Sequence, residues 1–92
     1  MIRSFRSKAL RSFAETGRTK GLSVPNATRV RQILLALDAA KRPEDMNTPG
    51  LRFHDLKGDR RGTFAVDVSG NYRITFRWDG EDAIDVDLED YH

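Results

Sequence analysis

What the sequence lacks narrows its chemistry first. Its 92 residues hold no cysteine, three prolines and one tryptophan. Without thiols there is neither a disulfide framework nor a thiolate metal site, and a reducing cytoplasm is the expected setting. No apolar run approaches the roughly 18 to 20 residues that span a bilayer, so no membrane role is expected. The metal-binding patterns HExxH and CxxC are missing, and "KGDRRG" lacks the GxxxxGK[ST] spacing of a phosphate-binding loop. His54, His92 and the scattered acids fix no ligand geometry, so neither metal nor cofactor is expected. No repeat, low-complexity tract or Pro/Gly-rich linker divides the chain, which reads as one domain over residues 1–92.

Acids are also scarce where the chain begins, and this skews the charge. Residues 1–42 carry ten Lys/Arg against two acids, net +8, whereas residues 43–92 carry six against twelve, net −6. The start, "MIRSFRSKALRSFAETGRTK", has the arginine- and serine-rich look of an organellar transit peptide. Removing it would leave too few residues for a stable core, so it is read as part of the fold. A basic half of this strength suits the phosphate backbone of a nucleic acid, although a solvated helix face would carry the same residues. Hydrophobic residues at 38% and charged residues at 33% are the balance of a folded domain with a thin core, not of a disordered chain.

The first half reads as helical. "IRSF" (Ile2–Phe5) alternates and predicts a short strand. "SKALRSFAETG" then sets Ala9, Leu10, Phe13 and Ala14 on one helical face, with a stop at Gly17. In "PNATRVRQILLALDAAKR", Val30, Ile33, Leu34 and Leu37 recur at i, i+3, i+4 and i+7, with Pro25 in the first turn and Pro43 at the end. After the turn-rich "RPEDMNTPG" the period changes to two. "LRFHDL", "TFAVDV", "YRITFRW" and "AIDVDL" predict strands, joined by turns short enough for antiparallel neighbours. Their apolar face, with Phe64, Val66, Ile74, Phe76, Ile84, Val86 and Leu88, must be buried by the two helices. The fold class is α+β, with two N-terminal helices packed on one face of a small, mainly antiparallel sheet.

That leaves the other face open and polar, carrying His54, Asp67, Arg73, Thr75, Arg77, Asp85 and Asp87. Arg77 is expected to pair across strands with Asp85 and Asp87, a contact that requires no function. Arg73 lies nearer the hairpin that begins at Asn71, within reach of His54 and Lys57. A lone exposed histidine carries no meaning. Two imidazoles, His54 and His92, together with Lys57, Arg73 and a carboxylate, make a set able to cleave RNA without metal. One group removes the 2′-hydroxyl proton, another protonates the leaving 5′-oxygen, and cations stabilise the charge building on the phosphate.

The segments "LKGDRRG", "GNYRITF" and "DVDLEDYH", in this order and at this spacing, resemble the HigB toxins of bacterial toxin-antitoxin modules, within the RelE-like superfamily of ribosome-dependent mRNA interferases. The resemblance covers essentially the whole chain, including the basic "MIRSFRSKAL" start. It implies a RelE-like fold and an endoribonuclease that enters the ribosomal A site, cuts mRNA there and inhibits translation. It also implies a HigA-type antitoxin carrying a helix-turn-helix, through which alone operator DNA would be bound.

His54 falls on the family's histidine ahead of "LKG", Lys57 on the lysine within it, and Arg73 on the arginine of "NYRITF". Asp90, Tyr91 and His92 fall on the terminal "DYH". As roles implied by the resemblance, His92 or His54 serves as general base or acid, since imidazoles ordinarily titrate near neutrality. Asp90 orients or tunes a histidine, Tyr91 stacks on a base or hydrogen-bonds the phosphate, and Lys57 and Arg73 stabilise the developing charge. Arg3, Arg6, Lys8, Arg11, Arg18 and Lys20 would grip 16S ribosomal RNA through phosphates without reading sequence.

The competing class is a non-catalytic basic α+β module that binds RNA or a protein. A pure binder needs charge but not paired imidazoles, so it leaves His54, Lys57 and "DYH" unexplained. The tail also sets a geometric condition. Alternation from Ala83 to Leu88 puts Tyr91 on the open face with Asp85 and Asp87, and Asp90 and His92 on the other. His92 then reaches the open face only if the strand twists or ends near Glu89.

Overall fold

The computed structural model describes residues 1–22, 24 and 26–90. Tyr91 and His92 lie outside the described residues, as does Pro25 with its expected place in a helical first turn.

Helix α1 (Lys8–Thr16) begins where the Ser7 hydroxyl accepts the Leu10 N–H at 3.1 Å, satisfying a donor that the first turn would otherwise leave open. It stops where Gly17 turns to φ 79° and its N–H donates to the Phe13 carbonyl at 2.8 Å. Helix α2 (Ala27–Ala39) is capped by Asn26, whose side-chain oxygen accepts the Arg29 N–H at 3.0 Å. Its stripe of Val30, Ile33, Leu34 and Leu37 is buried, as the periodicity predicts. Pro43 lies beyond the end of α2 and opens a 3₁₀ turn, Pro43–Met46, that drops Met46 into the core. Among the described residues no helix is long and apolar enough to cross a membrane.

Strands β1 (His54–Asp55), β2 (Thr63–Asp67), β3 (Tyr72–Asp79) and β4 (Asp82–Asp90) form one antiparallel sheet in the order β1-β2-β3-β4. The strand expected over "LRFHDL" shrinks to two residues, because Gly50 (φ 88°) and Arg52 (φ 52°) take left-handed dihedrals that break a ladder. Leu51 still accepts the Asp67 N–H at 2.7 Å, and Phe53 stacks on Phe64 with ring centroids 5.6 Å apart. The N-terminal segment is not a full strand either. It runs parallel to β4 through two bridges, Ile2 with Ala83 and Phe5 with Val86, and so covers what would be a bare sheet edge. The Ile2 N–H donates to Asp38 at 2.8 Å, which ties this segment to α2.

Between those bridges β4 bulges. Thr75 faces Asp87 but Arg77 faces Ile84, so β4 spends three residues where β3 spends two. Asp85 absorbs the extra residue at φ 53°. The strict alternation expected of "AIDVDL" therefore fails. Ala83 rather than Ile84 joins Val86 in the core, fully buried, and Ile84 moves to the side of Arg77. The expected ion pairs of Arg77 with Asp85 and Asp87 are lost with it: among the described residues, neither aspartate bridges to Arg77.

Candidate active site on the polar face of the sheet

Residues opposite one another in an antiparallel ladder share a face. Three rows therefore cross the face turned away from the helices: Asp67–Arg73–Glu89, His54–Ala65–Thr75–Asp87, and Thr63–Arg77–Ile84. The centre of this face is not open as expected, since Ala65 is fully buried and Thr75 is 2% exposed. A polar layer covers it. The short turn Gly58–Arg60 folds back over the sheet, and Arg60 grips Glu89 with both terminal guanidinium nitrogens, Nη1 lying 2.8 Å from Oε1 and Nη2 bonding Oε2. Arg73 donates Nε and Nη2 to the same Oε1 at 3.2 and 3.1 Å, and the Thr75 hydroxyl donates to Oε2 at 3.2 Å.

Glu89 is thus a carboxylate held between two arginines. The Arg60 hydrogen bonds pull its carboxyl down to about 2 against the opposing effect of burial, with Arg73 and Thr75 adding to the pull. Glu89 in turn raises Arg60 above the ordinary guanidinium value. Asp67 stands opposite Arg73 and the Asp87 charge also acts on Arg60, so the two guanidinium groups lie among carboxylates that fix where their donors point.

His54 is exposed at the β1 edge of the same face, and its Nδ1 lies 2.7 Å from the Arg52 carbonyl oxygen. A carbonyl only accepts, so Nδ1 carries the proton in that contact and Nε2 is left as the acceptor of a neutral ring. Arg52 also bridges to Asp67 at 3.6 Å. Lys57 is exposed at the start of the turn that Arg60 ends.

The structure thus brings His54 and Arg73 to one side of the sheet, with Lys57 exposed at the start of the turn that Arg60 ties to that side. It does not bring Asp90 there: Asp90 faces Tyr72 across the ladder and lines a shallow groove with Ser7, Leu22 and Leu88 on the helix side. Alternation past the bulge puts it there, as expected.

The proposed RNA-gripping cations are spread along the N-terminal segment, α1 and the stretch after it. Arg6 is exposed and borders a polar concavity with Asp59, Arg60, Thr75, Arg77 and Asp85. Lys8, Arg11, Arg18 and Lys20 are exposed on α1 and after it. Arg3 is paired with Asp79 and with Asp82, the latter at 3.4 Å, so the basic and acidic halves meet rather than forming two separate surfaces. Among the described residues no three His, Asp or Glu gather as a metal site requires.

Arg60 and Glu89 are the members of this cluster that sequence reasoning missed. The available signals were weak: Glu89 shares the odd-numbered positions of Asp85 and Asp87, and Arg60 sits in "LKGDRRG" beside Lys57.

Against this geometry, comparison with known proteins is specific. Residues 3–92 match a family model described as the RelE-like toxin of type II toxin-antitoxin system HigB. The chain is 38% identical over 92 residues to the Endoribonuclease HigB of Proteus vulgaris, covering 100% of both chains. It is 34% identical over 82 residues to Toxin HigB-1 of Vibrio cholerae serotype O1, covering 85% of this chain and 84% of that one.

Proposed function

The chain belongs to the HigB-like toxins, RelE-like toxins of type II toxin-antitoxin systems, and from that premise we propose that it is a ribosome-dependent mRNA interferase. It cuts mRNA in the A site by acid-base attack of a 2′-hydroxyl, without a metal, and so stops translation. The observation that carries this reading is the row from His54 to Thr75, which ends at the Arg73–Glu89–Arg60 cluster on the same face. It puts a proton acceptor and a pair of fixed arginines on one face.

In the proposed reaction His54 Nε2 takes the proton of the 2′-hydroxyl. The freed oxygen bonds to the adjacent phosphorus and the bond from phosphorus to the 5′-oxygen breaks. The leaving oxygen is protonated by His92, giving a 2′,3′-cyclic phosphate and a 5′-hydroxyl. Arg73 and Lys57 stabilise the extra negative charge that the phosphorane carries. Tyr91 stacks on a base or bonds the phosphate; Asp90, on the helix side of the sheet, would orient the tail imidazole only where the tail crosses to the polar face.

The exposure of His54 bears on the ribosome dependence. A shallow face holds a flexible RNA strand poorly, and positioning of this kind accounts for much of an enzyme's advantage. The decoding site would supply it, with Lys8, Arg11, Arg18 and Lys20 held against 16S ribosomal RNA phosphates. Membership of a type II family implies a cognate antitoxin. We assign it to the HigA type, with a helix-turn-helix through which operator DNA is bound.

The test is to map mRNA 3′ ends after incubation with and without translating ribosomes. Cleavage confined to the ribosome-bound message supports the reading, whereas binding without new ends would favour a non-catalytic module.

A further inference from the structure

The reaction above uses Arg73 and Lys57 but not the carboxylate that lies between their elements. We propose that Glu89 is a positioning residue: it fixes the Arg73 guanidinium for the substrate phosphate and, through Arg60, anchors the turn that presents Lys57. The substrate half of this proposal rests on the mRNA-cleaving reading; the geometric half stands without it.

Three observations support it. Arg73 and Glu89 are direct register partners, and two donors of one guanidinium converge on one carboxylate oxygen, which fixes the plane of the guanidinium as well as its place. On the other side, the turn after Lys57 is held to the sheet by the Arg60 fork on Glu89. Lys57, Asp59 and Arg61 of that turn are all exposed, so Arg60 is its inward-reaching side chain. The third observation concerns register. Continued from the pairing of Arg77 with Ile84, an unbulged ladder would place Leu88 opposite Arg73; the extra residue at Asp85 brings Glu89 there instead. A left-handed aspartate in the middle of a strand therefore has a consequence at the arginine cluster.

Glu89→Gln keeps the shape and removes the charge, Glu89→Asp keeps the charge at shorter reach, and Arg60→Ala cuts only the turn. Side-chain guanidinium signals in NMR and amide exchange of residues 58–61 read the geometry directly. Single-turnover cleavage on programmed ribosomes, with ribosome affinity measured separately, reads the function. Restrained guanidinium signals of Arg60 and Arg73 are expected in the wild type and averaged ones in Glu89→Gln. Cleavage should fall tenfold or more in Glu89→Gln at unchanged ribosome affinity, with partial rescue in Glu89→Asp. The Arg60→Ala loss should be smaller, and adding it to Glu89→Gln should slow cleavage no further.

Cleavage within twofold of wild type in a folded Glu89→Gln overturns the proposal. Should Glu89→Gln not fold, unchanged amide protection and cleavage in Arg60→Ala overturn the turn-anchoring role. If the wild type itself cuts no mRNA, the activity reading fails, and the guanidinium and amide signals still decide whether Glu89 holds the two elements.

Discussion

The Ser4 hydroxyl accepts the backbone N–H of Asp85 at 2.8 Å, and the Ser4 carbonyl accepts that of Val86 at 3.1 Å. One residue of the N-terminal segment thereby takes up both amide groups that the bulge turns away from β3. This is how a strand with an inserted residue keeps its backbone paired at the sheet edge. It also makes the first few residues part of the sheet.

The bulge predicts an unusual response to substitution at Asp85. With φ at 53°, a β-branched residue is strained there and glycine is not. Asp85→Val is expected to destabilise the fold by about 1–3 kcal/mol and Asp85→Gly to cost much less. Ser4→Ala should cost about 1–2 kcal/mol, because it removes the hydroxyl that the Asp85 N–H bonds. Urea unfolding of the three variants checks the order, and a valine variant as stable as glycine would contradict the assigned conformation.

Glu89 should leave a signature in acid. Its folded value of about 2 lies below the ordinary 4.5, so its contribution is fully present above pH 4.5 and fades as pH falls toward 2. With allowance for solvent screening, wild type should exceed Glu89→Gln in stability by about 1–2 kcal/mol at pH 7. The gap should narrow between pH 4.5 and 2. A gap that stays constant across that window would mean that the arginine contacts do not hold the carboxylate ionised.

Binding to the ribosome should depend on charge rather than on the catalytic groups. Reversing Arg11 and Lys20 together is expected to weaken ribosome binding and to alter its salt dependence. For each RNA phosphate that the variant no longer neutralises, the slope of log K against log salt becomes shallower by about 0.7 to 0.9. Filter binding at several salt concentrations measures it. An unchanged slope would remove α1 and the segment after it from the proposed interface.

Much of this architecture was legible in the sequence because its causes are local. The stripe of α2 buries the side chains it predicts, and the period-two segments form the sheet in the order they are written. The bulge was not legible. "AIDVDL" alternates without a glycine, and the partner of the displaced Asp85 N–H is Ser4, some eighty positions earlier. The same non-local cause hid Glu89, whose meaning depends on being opposite Arg73 and under Arg60. His54 and Arg73 could be placed on one face by alternation alone, since both precede the irregularity. The shortening of the strand at His54 follows from the left-handed Arg52, a position where glycine would have signalled a turn and arginine does not.

If the 2′-hydroxyl at the cut is the nucleophile, a single 2′-deoxy substitution in the message abolishes cleavage. Translating ribosomes stalled with the cleavage codon in the A site would receive wild-type protein with either an all-ribose mRNA or one lacking that hydroxyl. The first is expected to be cut to a 2′,3′-cyclic phosphate or its 3′-phosphate product and the second to stay intact. Cleavage of both at the same position and rate would contradict that role of the hydroxyl.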